Sequence, residues 1–355
     1  MKIFVTGATG FVGSKLTERL LEKGHEVYAL VRSERKKKAL MDRIPHSLMD
    51  RFHVVFGSLS DATLGLEEEK IEELKREHID IVYHSAAYLS FDDREREKSF
   101  DINVEGTRNI LDFSLRIGVE KFFHVSTAYT LGMKEFGTEE LHQCDGAFVN
   151  SYEESKCHAE HLVYSYNDKM DISIFRPSII IGDSQTGQAD TTFALYGILR
   201  SFQLFKKRMD RRMEEREKNF TFLCDQEMPS NFVPVDYVVN VLSIGAERAE
   251  KGEIYHITNS YHLTNGAIFK IVKDVLDLNN VHLKPTSSFN ELTKEEVRFN
   301  EPLSVFQTYL SKQVAFDDSN TREMLDRVKE KPVYVDENLL YHMVKSYCFG
   351  PPIKV

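Results

Sequence analysis

The fold of this 355-residue chain is decided by the segment Thr6-Gly7-Ala8-Thr9-Gly10-Phe11-Val12-Gly13. It follows a short apolar run, Ile3–Val5, and opens a helical pattern over Val12–Lys23. In such a strand–turn–helix unit the first glycine permits a tight turn, the second lets the backbone approach a pyrophosphate, and the third lets helix and strand pack closely. Free N–H groups at the helix start favour the anion. The segment therefore predicts a dinucleotide site contacted by Thr6, Gly7, Thr9, Gly10, Phe11, Val12 and Gly13.

The first half of the chain alternates short apolar runs with longer helical patterns, which is typical of βαβ units and a parallel sheet. The runs are apolar throughout because strands buried on both faces need not alternate. We predict strands at Val27–Val31, His53–Phe56, Ile79–His84, Phe122–Val125 and Ile172–Phe175. We predict helices at Glu67–Glu77, Phe100–Ile117 and Tyr152–Tyr166. The expected fold class is α/β, a doubly wound parallel sheet of the Rossmann type.

The pattern changes after Pro177. Ala194–Lys218 predicts one long helix whose charged end, Lys206 to Lys218, is typical of a solvated face. We expect a cofactor domain over residues 1–183, with return segments from about 230–260, and a smaller, discontinuous substrate-binding part over 184–355. Aromatic side chains of this half either line an apolar tunnel or form an ordinary core: Phe193, Tyr196, Phe202, Phe205, Phe220 and Phe222.

Composition excludes several classes of protein. A net charge of −10 argues against nucleic-acid binding, because a polyanion would be repelled. The four cysteines show no C-x-x-C pair and no metal-like spacing with histidine, so we predict reduced thiols and no metal site. The chain opens on a strand rather than a signal peptide, and no apolar run reaches bilayer length. We expect a cytoplasmic protein without a transmembrane segment.

The residues after the second predicted strand indicate which dinucleotide binds. NAD-specific sites place an acidic residue there, roughly 20 residues beyond the glycines, to bind the ribose hydroxyls. This chain has Arg32 at that position, followed by Arg35 and a run of lysines. Cations suit a 2′-phosphate, so the sequence predicts NADP(H).

A Tyr-x-x-x-Lys motif, Tyr152 to Lys156, opens a predicted helix downstream of a strand that ends in Ser126-Thr127. Residues four apart share a helix face, so the phenol and the ammonium can point into one cleft. The cation is expected to lower the tyrosine pKa, so that Tyr152 exchanges a proton with a developing alkoxide. A hydroxyl from Thr127 or Ser126 would complete the site.

These motifs together resemble the extended short-chain dehydrogenase/reductases, over at least Met1 to about Thr258. The resemblance implies that Ala86 and Ala87 line the cofactor, that Asn103 and Ser126 lie beside it, and that the Pro177-Ser178-Ile179 backbone contacts its carboxamide. The family's catalytic hydroxyl falls on Thr127. Members often carry Asp at the adenine position, which here is Ser58, followed by Leu59.

Within that family the chain resembles the thioester-reductase-like branch, which includes fatty acyl-CoA reductases. The resemblance rests on Phe123-His124-Val125-Ser126-Thr127-Ala128-Tyr129 and on Arg176 to Asp183. It implies an NADPH-dependent reductase of an acyl thioester or aldehyde, carried on CoA or an acyl carrier protein. Homodimers are frequent in the family, so a homodimer is possible.

Three other activities stay open at this point. One is an NADP-dependent ketone or alcohol oxidoreductase acting on a β-ketoacyl or sterol-like substrate. Another is a nucleotide-sugar epimerase or dehydratase, although Ala128-Tyr129 lacks the acid pair of a dehydratase and Arg32 disfavours bound NAD(H). The last is a non-catalytic NADP-sensing module, against which the intact Thr127, Tyr152 and Lys156 argue.

Overall fold

The computed structural model describes residues 1–191, 193–211 and 218–350. Its strands are β1 Lys2–Thr6, β2 Glu26–Val31, β3 Phe52–Phe56, β4 Ile81–His84, β5 Lys121–Val125, β6 Phe136–Gly137, β7 Asp171–Pro177, β8 Ile179–Ile181, β9 Phe220–Leu223, β10 Pro229–Ser230, β11 Phe232–Pro234, β12 Ile254–Ile257, β13 Leu263–Thr264, β14 Val281–Lys284 and β15 Ala315–Phe316.

The α-helices are α1 Phe11–Glu22, α2 Glu34–Met41, α3 Glu68–Arg76, α4 Arg96–Phe100, α5 Gly106–Arg116, α6 Ser151–Tyr164, α7 Leu195–Arg211, α8 Val235–Arg248, α9 Asn265–Leu276, α10 Lys294–Asn300, α11 Gln307–Ser311, α12 Ser319–Asp326 and α13 Glu337–Phe349. Among them, none combines the length and the apolarity that crossing a bilayer requires.

The centre of the fold is a 7-stranded sheet in the order β12-β7-β5-β4-β1-β2-β3, in which every neighbouring pair is parallel. Crossover helices between these strands make it a doubly wound sheet of the Rossmann type, so the predicted fold class is confirmed. Its strands are buried because apolar side chains from them pack with side chains from α3 and α5 in one core.

The helix predicted over Phe100–Ile117 is not continuous. α4 ends at Phe100, the segment Asp101–Glu105 takes a π-helical conformation, and α5 begins at Gly106. An inserted π turn cannot be read from apolar periodicity, because the helix resumes with its buried face little changed.

The chain forms two compact units, each assembled from separate stretches. The first contains Met1–Ser178, Tyr237–Ile257 and Phe316–Lys331. The buried Glu139 carboxylate holds these stretches together, since it accepts hydrogen bonds from the backbone N–H groups of His256 (2.7 Å) and Asn320 (2.5 Å). Burial raises the pKa of Glu139 to about 7.

The second unit contains Ile179–Asp236, Thr258–Ala315 and Pro332–Val355. Helix α7 belongs to it; residues 212–217 of the helix and charged run predicted over Ala194–Lys218 lie outside the described residues.

Most of the aromatic side chains considered for a tunnel instead form a core. Rings from α7, β9, α9 and α10 pack edge-on or tilted against one another, at centroid separations of 4.2 to 6.4 Å: Phe202, Phe205, Phe220, Phe222, Phe269 and Phe299. Tyr196 is buried and Phe193 is exposed.

Candidate active site

The glycine-rich turn between β1 and α1 depends on the absence of side chains. Gly7 has φ +73°, and a Cβ there would lie 2.5 Å from the backbone nitrogen of Ala86. A Cβ on Gly13 would lie 2.1 Å from the Gly7 carbonyl oxygen. Gly10 is the N-cap of α1 and supplies no side-chain cap. The first N–H groups of α1 are therefore left for an anion, as a dinucleotide pyrophosphate requires.

Two arginines follow β2: Arg32 comes directly after the strand, and Arg35 lies in the first turn of α2. Arg32 and Arg35 are exposed, and neither has a hydrogen-bond or ion-pair partner among the residues that the structure describes. Ser33 caps α2 between them by accepting a hydrogen bond from the backbone N–H of Lys36 at 3.4 Å. Because β1 and β2 are parallel neighbours, Arg32 follows β2 at the same edge of the sheet as the glycine-rich turn follows β1.

The other predicted cofactor positions in this half follow β3 and β4, at the same edge of the sheet. Ser58 is half-buried, and its N–H donates to the carbonyl of Leu64 at 2.9 Å. The Leu59 Cβ would be 3.3 Å from a Cβ placed on Gly106. Ala86 is half-buried and Ala87 is exposed, directly after β4.

Two hydroxyl side chains follow β5. Ser126 is buried, and its Oγ has no hydrogen-bond partner among the described residues. Thr127 is also buried, and its Oγ1 accepts a hydrogen bond from the backbone N–H of Tyr129 at 3.3 Å. A hydroxyl that accepts in this way keeps its own proton to donate. The Ser126 hydroxyl without a partner and the uncapped N-terminus of α1 are both able to bind polar groups of a dinucleotide, so these residues fit such a cofactor.

Tyr152 lies in the first turn of α6. The helix begins at Ser151 because the Asn150 side chain accepts a hydrogen bond from the backbone N–H of Glu153 at 3.0 Å. The Tyr152 ring meets Phe91 edge-on, with 6.4 Å between ring centroids. Burial, and then the charge of Glu153, hold the pKa of Tyr152 above its ordinary value. The predicted lowering of this pKa by Lys156 is therefore not found in the free protein.

The ammonium of Lys156 contacts β5 rather than solvent. Its Nζ donates to the carbonyl of Val125 at 2.9 Å and to Nε2 of His124 at 3.1 Å. Lys156 is buried, and this burial lowers its pKa to about 8, while the charge of Glu160 opposes the shift. The contact fixes α6 against the end of the strand that carries Ser126 and Thr127.

A buried hydrogen-bond chain runs from β1 to α6. His84 Nδ1 lies 2.7 Å from the Thr6 hydroxyl, and Nε2 lies 2.9 Å from the Thr107 hydroxyl. Thr107 donates its proton to the Asn103 carbonyl at 2.7 Å, so His84 Nε2 must donate and Nδ1 must accept. The Asn103 amide donates to the hydroxyl of Ser155 at 3.0 Å.

Asn103 also binds backbone at the end of the loop after β4. Its Oδ1 accepts from the N–H of Tyr88 at 2.7 Å, and its Nδ2 donates to the Tyr88 carbonyl at 2.9 Å. The side chain lies in the π-helical segment and is buried. Its amide is thus already bonded to protein groups, and it orients the loop and the helix on either side.

A buried ion pair supports α6 from β7. Arg176 donates from Nε and Nη2 to the two carboxylate oxygens of Glu160, at 2.9 and 2.6 Å, and both side chains are fully buried. After it, Pro177 ends β7 and Ser178 N–H donates to the Ile257 carbonyl at 3.0 Å. Ile179 begins β8 in the second unit.

Three groups of this site were not predicted from the sequence. Glu160 lies four residues after Lys156 and could have been found from that helical spacing. His124 was noted only as part of a strand and of the Phe123–Tyr129 motif, and Ser155 only as a spacer of the Tyr-x-x-x-Lys motif. Neither carries a sequence signal for its contact, because each partner comes from a distant part of the chain.

A dinucleotide turn, a Ser-Thr strand end and a Tyr-x-x-x-Lys helix on a doubly wound sheet define an extended short-chain dehydrogenase/reductase. Comparison with known proteins agrees. Residues 5–242 match the NAD-binding family described as Male sterility protein, and the chain belongs to this family. The family contains oxidoreductases of the short-chain type, and the predicted resemblance to its thioester-reductase-like, fatty acyl-CoA reductase branch is confirmed.

Individual relatives are distant. The chain is 28% identical over 289 residues to sterol demethylase protein B of Methylococcus capsulatus, covering 78% of this chain and 74% of the relative. It is 26% identical over 291 residues to fatty acyl-CoA reductase wat of Drosophila melanogaster, covering 69% of this chain and 53% of the relative. Among solved structures, the terminal R domain of the myxalamid PKS-NRPS pathway shares the fold, with TM-score 0.79, 24% identity, and coverage of 97% and 90%.

Proposed function

We propose that this protein is an NADP(H)-dependent reductase of an acyl-type carbonyl, either an acyl thioester or an aldehyde, with Tyr152 as the proton donor. The observation that carries the proposal is the contact of the Lys156 ammonium with the Val125 carbonyl at 2.9 Å. It fixes the helix that bears Tyr152 against the strand end that bears Ser126 and Thr127. A phenol, an ammonium and hydroxyl donors at one sheet edge can stabilise a carbonyl that becomes an alkoxide.

Positive charge after β2 favours NADP(H) over NAD(H). Arg32 follows the strand and Arg35 lies in the first turn of α2, both exposed and without partners among the described residues, where an NAD-specific site would have a carboxylate. Guanidinium groups bind a phosphate through paired, charge-assisted hydrogen bonds. We assign the 2′-phosphate to these two residues and the pyrophosphate to the glycine-rich turn. Ser58, Leu59, Ala86 and Ala87 would line the adenosine half.

The nicotinamide ring, when bound, supplies the hydride. Thr127 and Tyr152 donate hydrogen bonds to the carbonyl oxygen as negative charge develops on it, and Tyr152 then transfers its proton. Burial keeps Tyr152 protonated, which suits an acid, and Lys156 stabilises the phenolate that remains. Asn103 orients α6 through Ser155. A reduced thioester would collapse to the aldehyde and release the thiol.

The names of similar proteins support the proposed substrate class. A fatty acyl-CoA reductase and an aldehyde reductase are among them, and a thiolation-reductase di-domain of a non-ribosomal peptide synthetase shares the fold. From these names we take a reducible acyl-type carbonyl as the substrate, carried on CoA or on an acyl carrier protein. The residues after Ser184 are the proposed substrate-binding part.

The test is NADPH consumption by the purified chain with acyl-CoAs, acyl-carrier thioesters, aldehydes and ketones. Tyr152→Phe is expected to lower kcat at least 100-fold while the affinity for NADPH stays within about twofold, because general acid catalysis contributes roughly 10²–10⁴-fold. Tyr164→Phe, on an exposed part of the same helix, is the matched control and should keep full turnover. Full activity in Tyr152→Phe would refute the mechanism, and turnover confined to ketones would refute the substrate class.

A further inference from the structure

Two thiols and an imidazole meet on the side of α6, next to the proposed catalytic residues. Cys157 and His161 lie one turn apart on the helix, and Cys144 comes from the segment that precedes it. The Sγ atoms of Cys144 and Cys157 are 2.9 Å apart. One ligand atom from each of the three residues lies within 4.8 Å of the others. The sequence spacing did not suggest a metal site, because Cys144 joins the others only through the fold.

We propose that Cys144, Cys157 and His161 form a binding site for a soft divalent cation of the zinc class. Thiolate and imidazole are the ligands that zinc prefers, with Zn–S near 2.3 Å and Zn–N near 2.0 Å. Tetrahedral coordination then separates the two sulfurs by about 3.8 Å and sulfur from nitrogen by about 3.5 Å. Cation entry therefore requires the sulfurs to move apart by about 1 Å, and water fills the fourth position.

The two thiols already lie in hydrogen-bond contact, with their sulfur atoms 2.9 Å apart. A divalent cation binds cysteines as thiolates, so its uptake would release the thiol protons to solvent.

A backbone carbonyl orients the ligand set. His161 Nε2 donates to the His142 carbonyl at 2.7 Å, so the cation would bind Nδ1, and the bond at Nε2 would orient the ring as in metal-bound histidines. The Cys157 sulfur lies 3.5 Å from the same carbonyl oxygen. A cation here would attach the segment around Cys144 to the helix that carries Tyr152 and Lys156.

The experiment uses the 355-residue chain, reduced with a phosphine and stripped with a chelator. It is titrated with Zn²⁺ against a chromophoric chelator, and with Co²⁺ for the absorption bands of thiolate coordination. One cation per chain is expected, with two thiols protected from alkylation. Cys144→Ser and Cys157→Ser should each weaken binding at least 100-fold, and His161→Gln at least tenfold. The control variants His158→Gln and Cys348→Ser should bind as the wild type does.

Three results would overturn the proposal. The first is no uptake of either metal by the reduced wild-type chain. The second is uptake unchanged in both serine variants. The third is that the chain takes up no metal but forms a Cys144–Cys157 disulfide when it is treated with peroxide. The two cysteines would then be a redox pair and not metal ligands. Alkylation protection is measured on the wild type, so the conclusion does not depend on a variant that folds poorly. Metal binding is independent of the proposed reductase activity.

Discussion

The buried ammonium of Lys156 predicts a specific pH dependence of catalysis. Its pKa is about 8, so at one pH unit above this value Lys156 is charged in only about a tenth of the molecules. If the charged form stabilises the Tyr152 phenolate, kcat/KM for the carbonyl substrate should be level up to about pH 8. Above that it should fall about tenfold per pH unit.

The same group predicts the opposite trend for stability. A lysine pKa lowered from 10.5 to about 8 on folding means that the unfolded chain binds more protons between these values. The free energy of unfolding attributable to Lys156 should therefore rise with pH across that window, by about 3 kcal/mol in all. Because this contribution makes the protein more stable as the pH rises, a loss of activity above pH 8 could not be ascribed to unfolding caused by deprotonation of Lys156.

The assay measures NADPH consumption at saturating NADPH and constant ionic strength from pH 6 to 10, beside urea unfolding at the same pH values. Lys156→Met should lower the rate and remove the alkaline decline. Lys169→Met, an exposed lysine beyond the same helix, should keep the wild-type profile. A wild-type profile that stays level to pH 10 would refute the role given to Lys156.

Two further substitutions test other parts of the site. Arg32→Asp should reduce the preference for NADPH over NADH by at least tenfold, since a charge-assisted hydrogen bond contributes about 1.5–3 kcal/mol. The control Lys38→Asp should change this preference little. An NADPH-to-NADH preference that is the same in Arg32→Asp and in the wild type would contradict the assignment. Glu160→Gln should lower the free energy of unfolding by about 3–5 kcal/mol, because it leaves Arg176 buried without its counter-charge. The control Glu154→Gln, in an exposed pair, should cost under about 1 kcal/mol, and a similar small loss at Glu160 would count against the argument.

The sheet could be predicted from the sequence because its determinants are local. The predicted strands around Ile3–Val5 and Phe122–Val125 differ from β1 and β5 by a residue or two at their ends. The π-helical Asp101–Glu105 segment was not predicted, because apolar periodicity carries no signal for an inserted turn. Within it the buried Asn103 amide bonds to Tyr88 and Ser155, which are distant in sequence.

The candidate site was predicted as a set of residues but not as a network. Spacing alone indicates that Tyr152 and Lys156 share a face, and order along the chain indicates that Thr127 precedes them. Spacing does not show which groups an ammonium contacts. In the structure the Lys156 ammonium donates hydrogen bonds to His124 and Val125 on β5. The direction of the Tyr152 pKa was predicted wrongly for the same reason, since burial rather than the lysine decides it in the free protein.

The division of the chain has a consequence for inheritance and engineering. The sheet is completed by β12, which pairs with β7 but comes from the stretch Tyr237–Ile257. A gene fragment cut after Ser178 would leave the apolar β7 as an open edge, which is a template for association with other chains. A chimera of two relatives therefore keeps this unit intact only when all three of its stretches, the last of them Phe316–Lys331, come from the same parent.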